Sequence, residues 1–301
     1  MSLPSFSQLL EETSRATKVT VAVGAAADRE VLEAVSSSVR AGYCRARLFG
    51  PGGEVERILH DLDAPAEGID IVDVPEPRKA AEQAVRGVRR KEAQLLMKGL
   101  VETSVILEAV LDKEEGLRGS GLLSHIGLFE IEGFPRVLAV TDSAMNIDPD
   151  LEKKRHILKN GVAFLRSLGL QEPKVAVICA RETVSEKMPC TLDARTLVEE
   201  NLAGKIEGCL VAGPYALDNA VSREAAALKG IEGAVAGEAD LLVMPDIEAG
   251  KVLYKALSFL ANSRVAGLVV GAAAPIVLTS RADSAETKRN SLALAARCVQ
   301  P

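Results

Sequence analysis

The sequence predicts an α/β protein built on mainly parallel sheets, and three observations support this prediction. Strand-like apolar runs alternate with amphipathic segments along most of the chain. Hydrophobic residues make up 48% of the sequence but aromatic residues only 3%, so the interior is expected to be aliphatic. The length of 301 residues favours two modest domains over one, because single cores rarely grow beyond about 250 to 300 residues.

Two kinds of segment follow one another along the chain. Apolar runs predict strands at residues 19–23, 46–49, 69–72, 137–140, 175–179, 241–243 and 268–270. Amphipathic segments predict helices at residues 28–41, 77–91, 150–168, 192–204 and 249–260, with another within residues 1–16. Ligands of such sheets bind beyond the carboxyl ends of the strands, so we expect the functional residues there.

The stretch from residue 128 to residue 140 differs from this alternation. Two extended runs, 128–131 and 136–140, flank a turn at 132–135, which predicts a β-hairpin. The chain is expected to change domain near this hairpin and to return near residue 271. The predicted first domain therefore comprises residues 1–133 and 271–301, and the second comprises residues 134–270.

The composition argues against several classes of partner. The net charge of −6 is unsuited to a nucleic-acid surface, which needs clustered cations. The longest uncharged run, 265–280, is shorter than a membrane span and contains two glycines and a proline. Five cysteines without a C-x-x-C pair favour reduced thiols. We expect a cytoplasmic protein without membrane or nucleic-acid partners, and the apolar helix faces favour a homodimer.

The segment after the apolar run 275–278 carries the strongest chemical signal. Thr279, Ser280 and Arg281 lie between this predicted strand and a helix, so two hydroxyls and a guanidinium precede free backbone N–H groups. Such an arrangement is suited to binding an anion. Asp283 and Glu286 have the spacing of a capping box, which predicts a helix start at 283 or 284. An ordinary capped helix with a solvated arginine would show the same spacing.

Residues 244–257 and 265–284 together resemble the carboxyl-terminal motif of the phosphate acetyl/butyryltransferase family. Shorter matches extend the resemblance over most of the chain, at residues 93–99, 116–118, 123–125, 142–146 and 213–218. The form SRADSAET at residues 280–287 is more similar to the butyryltransferase branch than to the acetyltransferase branch.

The resemblance implies a fold and an activity. The family has two α/β domains of the isocitrate/isopropylmalate dehydrogenase-like kind, with the active site in the cleft between them. Its members transfer a short acyl group reversibly between coenzyme A and inorganic phosphate. For this chain the expected acyl group is butyryl, and acetyl is the alternative. Coenzyme A and phosphate are the expected substrates, and no metal or other cofactor is expected.

The resemblance also implies roles for the anion-binding segment. Ser280 and Arg281 would lie at the acyl and phosphate site, with Thr279 beside them. A fixed guanidinium and a hydroxyl there would stabilise the negative charge that develops on the carbonyl oxygen. Holding both substrates in one site would also orient them.

Two departures from the acetyltransferase branch bear on the mechanism. That branch has an acidic residue six positions after the arginine, proposed to take the thiol proton, where this chain has Thr287. Asp283 and Glu286 are the nearby carboxylates that could replace it, unless they only cap the helix. That branch also tends to carry a cysteine where this chain has Ser143, which favours direct transfer in a ternary complex over an acyl-cysteine route.

Further residues match the family and are candidates for substrate binding. In the predicted second domain these are Asp142, Ser143 and Asn146, which could equally be turn and cap residues. In the predicted first domain, on the opposite wall of the cleft, they are Lys98, Gly99, Thr103, Ser104, Ser124 and His125. Arg118 is a further candidate for binding phosphate or the phosphates of coenzyme A, although an exposed arginine is the commoner case. Thr103 and Ser104 could instead cap a helix, and an isolated histidine is more often structural. Lys251 replaces an asparagine usual in the family, which leaves the acyl preference open.

Two other functions are alternatives to this interpretation. A decarboxylating or pyridoxine-biosynthesis dehydrogenase on a related scaffold would need a cluster of metal-binding carboxylates and a nicotinamide site, and no residues at the required spacing stand out. A non-catalytic descendant of the family would bind coenzyme A without turnover.

Overall fold

The computed structural model describes residues 3–119, 121–278 and 283–300, and the chain divides into two compact units. The amino-terminal unit comprises Phe6–Gly121 and Val265–Pro301, and the middle unit comprises Met1–Ser5 and Leu122–Arg264. The divisions fall before the predicted ones at 133/134 and 270/271. The first division lies before the predicted hairpin, because its two strands pair with each other inside the middle unit.

The amino-terminal unit contains six strands in the order β3-β2-β1-β4-β11-β10. All neighbours are parallel except β10 and β11, which are antiparallel. The strands are β1 (Val19–Gly24), β2 (Cys44–Gly50), β3 (Ile69–Asp73), β4 (Leu95–Lys98), β10 (Ser263–Val270) and β11 (Ile276–Val277). The helices are α1 (Phe6–Arg15), α2 (Arg29–Arg40), α3 (Gly52–Asp61), α4 (Pro77–Arg89), α5 (Thr103–Val110) and α11 (Ala285–Val299).

The middle unit contains five strands in the order β5-β6-β9-β7-β8. Only β5 and β6 are antiparallel, as the hairpin prediction requires. The strands are β5 (Ser124–Ile131), β6 (Val137–Thr141), β7 (Lys174–Ile178), β8 (Leu210–Tyr215) and β9 (Leu241–Val243). The helices are α6 (Leu151–Ser167), α7 (Pro189–Leu202), α8 (Leu217–Val221), α9 (Arg223–Leu228) and α10 (Ile247–Leu260).

All seven strands and six helices predicted from the apolar runs and amphipathic segments are present, with shifts at their ends. Helix α7 begins at Pro189 rather than residue 192, because proline suits a first turn that needs no N–H donor. The predicted capping box is wrong: Ser284 caps α11, and its Oγ accepts the N–H of Thr287 at 3.1 Å. Within the described ranges, no helix has the length and apolar character needed to cross a membrane.

Aliphatic side chains form the core, as the composition predicts. The central strands of the amino-terminal unit bury Val21, Leu48 and Leu96 completely. In the middle unit, Arg155 of α6 binds Glu200 of α7 through two hydrogen bonds, Nε to Oε2 at 2.6 Å and Nη2 to Oε1 at 2.7 Å. These bonds hold the pKa of Glu200 below its usual value of 4.5. The pair ties α6 to α7 within the middle unit.

Candidate functional site

The carboxyl ends of β1, β4 and β11 lie at one edge of the amino-terminal sheet, because these strands are parallel. Lys98 is the last residue of β4. The chain leaves β11 at this edge and re-enters the described part at Asp283, just before α11. Thr279, Ser280 and Arg281 fall outside the described residues, so their proposed roles stay predictions. The strand-to-helix context predicted for them is confirmed on both sides.

A cavity of about 380 Å³ opens at this edge, and we call it the lysine cavity because Lys98 and Lys288 both line it. The Nζ of Lys98 donates to the carbonyls of Gly99 at 3.2 Å and Val101 at 3.0 Å. Gly99 allows β4 to end against the segment after β1, because a Cβ there would overlap the carbonyl oxygen of Ala25. Lys98 and Gly99 therefore lie at the carboxyl end of β4 and line this cavity, and their binding of substrate stays a prediction.

Lys288 is the residue of this edge that the sequence analysis missed. It is only 3% exposed, and its Nζ donates to Oε2 of Glu30 and to the carbonyl of Asp283, both at 2.6 Å. These bonds tie the start of α11 to α2. A cation is thereby fixed at the start of α11, where the free N–H groups of the helix terminus add partial positive charge. The available signal was a lysine within the motif, four residues after the cap.

Asp283 and Glu286 do not form the predicted cap. The backbone carbonyl of Asp283 accepts the bond from Lys288, and Glu286 is exposed in the first turn of α11. A carboxylate in the first turn of a helix is stabilised by the helix dipole. Action by either residue as the base stays a prediction.

The residues at the two ends of α5 do not line the lysine cavity. Thr103 and Ser104 are exposed in its first turn, but the N-cap position is Glu102 and not either hydroxyl residue. Arg118 is exposed, and its Nε donates to the carbonyl of Leu111 at 2.6 Å, which satisfies the carboxyl end of α5. This contact is structural in kind, and binding of substrate by these three residues stays a prediction.

A second group of predicted residues lies at the carboxyl edge of the middle sheet. His125 is the second residue of β5 and lies beside the end of β6, in the middle unit and not in the first domain to which the sequence assigned it. Its Nδ1 lies 2.8 Å from Oγ of Ser143. The ring of Tyr254 on α10 meets the imidazole edge-on, with centroids 5.4 Å apart. We call these three side chains the histidine cluster; their exposure is 7%, 2% and 8% respectively. Sequence analysis missed Tyr254, since an aromatic residue on an amphipathic helix signals only packing.

The carboxylate of Asp142 organises the loop that carries Ser143. Its Oδ1 accepts the backbone N–H groups of Ala144 at 2.9 Å and Met145 at 3.0 Å. Its Oδ2 accepts both the backbone N–H and the side-chain amide of Asn146, at 3.2 and 2.5 Å. The same amide donates to the carbonyl of Leu123 at 2.9 Å. The geometry favours the turn-and-cap interpretation of Asp142 and Asn146.

Ser124 has a similar structural contact. It is completely buried, and its Oγ accepts the side-chain amide of Asn160 at 3.0 Å. The same amide donates to the carbonyl of Leu122 at 2.7 Å, so α6 is tied to the start of β5. Ser124 thus positions the strand that carries His125, and Asn160 was not foreseen from the sequence.

The cysteine thiols and the possible metal ligands are the remaining groups that could support other chemistry. All five cysteines are free. Burial raises the pKa of the Cys44 thiol to about 12 and that of Cys209 to about 11, so both remain protonated and unreactive at neutral pH. Among the residues that the structure describes, no three His, Cys, Asp or Glu side chains are grouped to hold a metal ion.

The charged side chains that line the lysine cavity are Arg29, Lys98, Lys288, Asp28 and Glu30, so positive charge exceeds negative by one. The fold and this cavity define a two-unit α/β protein with a sheet edge suited to an anionic ligand. A model of the phosphate acetyl/butaryl transferase family matches residues 76–296, and the chain belongs to this family.

Known relatives agree with this assignment over nearly the whole chain. The probable phosphate butyryltransferase of Bacillus subtilis is 49% identical, with 92% of each chain covered. The phosphate acetyltransferase of Thermotoga maritima is 44% identical over 97% of this chain and 99% of that protein. The crystal structure of a branched-chain phosphotransacylase from Enterococcus faecalis superposes with a TM-score of 0.83 at 30% identity, covering 94% of this chain and 100% of that one.

Proposed function

We propose that the protein is a phosphate acyltransferase that moves a short acyl group reversibly between coenzyme A and inorganic phosphate. The preferred acyl group in this proposal is butyryl. The observation that carries the proposal is the lysine cavity at the edge from which residues 279–281 depart. Two ammonium groups and the start of α11 supply positive charge where phosphate would bind. Family membership and the names of the relatives support the same reaction.

In the proposed reaction, a phosphate oxygen attacks the thioester carbonyl carbon of acyl-CoA. The carbonyl oxygen becomes an oxyanion, which Arg281 and Ser280 stabilise, and the C–S bond then breaks to release coenzyme A as a thiolate. In the reverse direction the thiol must lose its proton before it attacks the acyl phosphate. We assign this proton to the carboxylate of Asp283 or Glu286.

Direct transfer between the two substrates fits the described side chains better than an acyl-enzyme. Ser143 stands where the acetyltransferase branch tends to carry cysteine, so this chain has no thiol at that position. The buried thiols of Cys44 and Cys209 are held protonated. The protein groups therefore bind and orient the reactants and stabilise charge. Location in the cytoplasm and assembly as a homodimer stay predictions.

The decisive experiment measures free thiol released from butyryl-CoA with a thiol reagent, with and without inorganic phosphate. We expect release that saturates with phosphate, and a higher kcat/KM for butyryl-CoA than for acetyl-CoA. Propionyl-CoA and a branched acyl-CoA complete the series and define the acyl pocket. Release at the same rate without phosphate would contradict the proposal, and so would binding of coenzyme A with no turnover of any acyl-CoA.

A further inference from the structure

Two of the five cysteines are neighbours at the carboxyl edge of the middle sheet. Cys179 is the first residue after β7, and Cys190 is the second residue of α7, the next helix along the chain. A short loop, residues 180–188, connects β7 to α7 between them. Burial raises the pKa of Cys179, and Cys190 raises it further through its charge and through a side-chain hydrogen bond. We call these two residues the thiol pair.

The backbone on each side of the thiol pair is held by hydrogen bonds. The N–H of Cys179 donates to the carbonyl of Tyr215 at the end of β8, at 2.8 Å. Next to Cys190, the buried hydroxyl of Thr191 accepts the N–H of Ser185 at 2.9 Å and donates to the carbonyl of Met188 at 2.7 Å. The first turn of α7 is therefore tied to the loop that leads into it, and both cysteines have fixed positions.

A buried ion pair lies beside the thiol pair. Lys154 of α6 is 4% exposed, and its Nζ lies 2.7 Å from Oδ2 of Asp193. Asp193 comes three residues after Cys190 on α7, so these two side chains lie on one face of the helix. Burial has the largest influence on the pKa of Cys179, but the Lys154 ammonium lowers this pKa and the Asp193 carboxylate raises it. Lys154 therefore stabilises negative charge that develops on the Cys179 sulfur.

The two thiols differ in their access to solvent. Cys179 is 4% exposed, whereas Cys190 is half-buried in the first turn of α7. Because burial and the charge of Cys190 both raise the pKa of Cys179, the two thiols do not ionise together, and Cys179 is the one that keeps its proton. An accessible thiol beside a second thiol that can resolve its oxidised form is typical of redox-sensing cysteines.

We propose that Cys179 and Cys190 form a reversible disulfide when the protein meets a hydroperoxide. The Cys190 sulfur attacks one peroxide oxygen as a thiolate, the O–O bond breaks, and the products are a sulfenic acid and an alkoxide that takes a proton from water. The Cys179 sulfur then attacks the sulfenic sulfur, and the hydroxyl leaves with the Cys179 proton as water. The two thiols lose two electrons and two protons, and the hydroperoxide is reduced to an alcohol and water.

The disulfide would fasten the end of β7 to the first turn of α7 and close the loop 180–188 between them. Glu182 in this loop accepts the Nζ of Lys229 and the side-chain amide of Asn219, both at 2.6 Å, so the loop also contacts the segment that follows β8. Ligands of α/β sheets bind beyond this edge of a sheet. If the proposed function holds, a closed loop at this edge slows acyl transfer.

The first test identifies the bond. The protein is treated with hydrogen peroxide, the remaining thiols are blocked with iodoacetamide, and the chain is digested with trypsin without reduction. We expect peptides 175–181 and 188–195 as one linked product, which dithiothreitol separates. The number of titratable thiols in the unfolded chain should fall by two from the five of the reduced protein. Linkage of Cys179 to a different cysteine, or oxidation of Cys190 to a sulfinic acid without linkage, would overturn the proposal.

The second test uses three variants whose folding is checked by circular dichroism. Cys209→Ser is the matched control, because Cys209 is also buried but its raised pKa comes from burial and from Glu172 rather than from a thiol. It should give the linked product as the wild type does, whereas Cys190→Ser should give none. Cys179→Ser should leave Cys190 as a sulfenic acid that dimedone traps. Loss of the product in Cys209→Ser, or the absence of a dimedone adduct in Cys179→Ser, would contradict the assigned roles.

The effect on activity rests on the proposed function and is tested separately. Phosphate-dependent cleavage of butyryl-CoA, followed by the loss of thioester absorbance, should fall several-fold in the oxidised wild type after the peroxide is removed. It should recover after treatment with dithiothreitol and should not change in peroxide-treated Cys190→Ser. Full activity of the oxidised protein would overturn the link between the bond and the reaction. The peptide result would stand even if acyl transfer itself were refuted, so the two failures can be distinguished.

Discussion

The lysine cavity and the histidine cluster both lie at the carboxyl edge of a sheet, but they differ in charge and in burial. The lysine cavity is open and lined by Lys98 and Lys288, whose ammonium groups are held by carbonyls and by one carboxylate. The histidine cluster contains no carboxylate or ammonium group, and it is almost completely buried. The lysine cavity therefore presents charge to a ligand, whereas the hydrogen bonds at the histidine cluster hold a loop in its shape.

This difference teaches that residues matching a family motif need not act in the same way. Asp142, Asn146 and Ser124 each have their hydrogen-bonding groups engaged within the protein. Such residues position others, and their replacement should lower stability together with activity. Residues that contact substrate at the cationic edge should instead change substrate affinity or the rate of the chemical step.

The largest effect is expected for Arg281→Ala. Loss of a group that stabilises a developing oxyanion typically lowers kcat by about 10² to 10³-fold. Thiol release from butyryl-CoA measures it, with Arg195→Ala as the control because Arg195 is exposed on α7. Unchanged kcat in Arg281→Ala would remove the anion-binding segment from the mechanism.

A smaller effect is expected for Lys288→Met, which removes a cation of the lysine cavity but nearly preserves side-chain volume. The KM for phosphate should rise about tenfold, equivalent to about 1.4 kcal/mol. Steady-state kinetics with varied phosphate measures it. Glu30→Gln is the matched variant, because it breaks the same ion pair and keeps the cation. If both variants raised the KM equally, Lys288 would only hold α11 in place.

Ser143→Ala tests the histidine cluster and should lower stability with little change in the KM for phosphate. It leaves Nδ1 of His125 without its hydroxyl partner in a buried site, which should cost about 1 to 2 kcal/mol of the free energy of unfolding. Denaturant titration measures this loss, while the KM for phosphate should stay within about twofold. A rise in that KM without any loss of stability would show that Ser143 binds substrate directly.

The smallest effect is expected at Glu200, which belongs to neither edge and serves as a structural reference. Hydrogen bonds from Arg155 lower the pKa of Glu200, so its stabilising contribution is complete above pH 4.5, the usual value. That contribution is lost as the pH falls through the lower folded-state pKa. Glu200→Gln should therefore reduce stability by about 1 kcal/mol or less near pH 7. The Tm of the Glu200→Gln variant should fall less steeply than the Tm of the wild type as the pH drops below 4.5.

The sequence predicts the fold well because its apolar runs are sharply bounded. It misses β4, which has only four residues, and β8, whose sequence contains Gly213 and Pro214. It also misses α3, which begins with two glycines, residues that disfavour helix by propensity. In each case pairing or packing with distant segments decides the structure.

The candidate site is predictable only in part for a similar reason. Gly99 and Lys98 are found because the family motif includes them, and His125 and Ser143 turn out to be neighbours. The role of Lys288 depends on Glu30, which lies 258 residues away in the sequence. Tyr254 meets His125 only after α10 packs on β5. Contacts of this kind arise from tertiary structure and leave no local pattern.

The position of β11 has a consequence for how the protein is made. This two-residue strand pairs on both sides, with β4 and with β10, although it comes near the end of the chain. Until residues 276 and 277 have emerged from the ribosome, β4 has an unpaired edge of the kind that promotes aggregation. A chain cut short before residue 276 would lack both that strand and the segment that carries Arg281. Prematurely terminated products should therefore be insoluble as well as inactive.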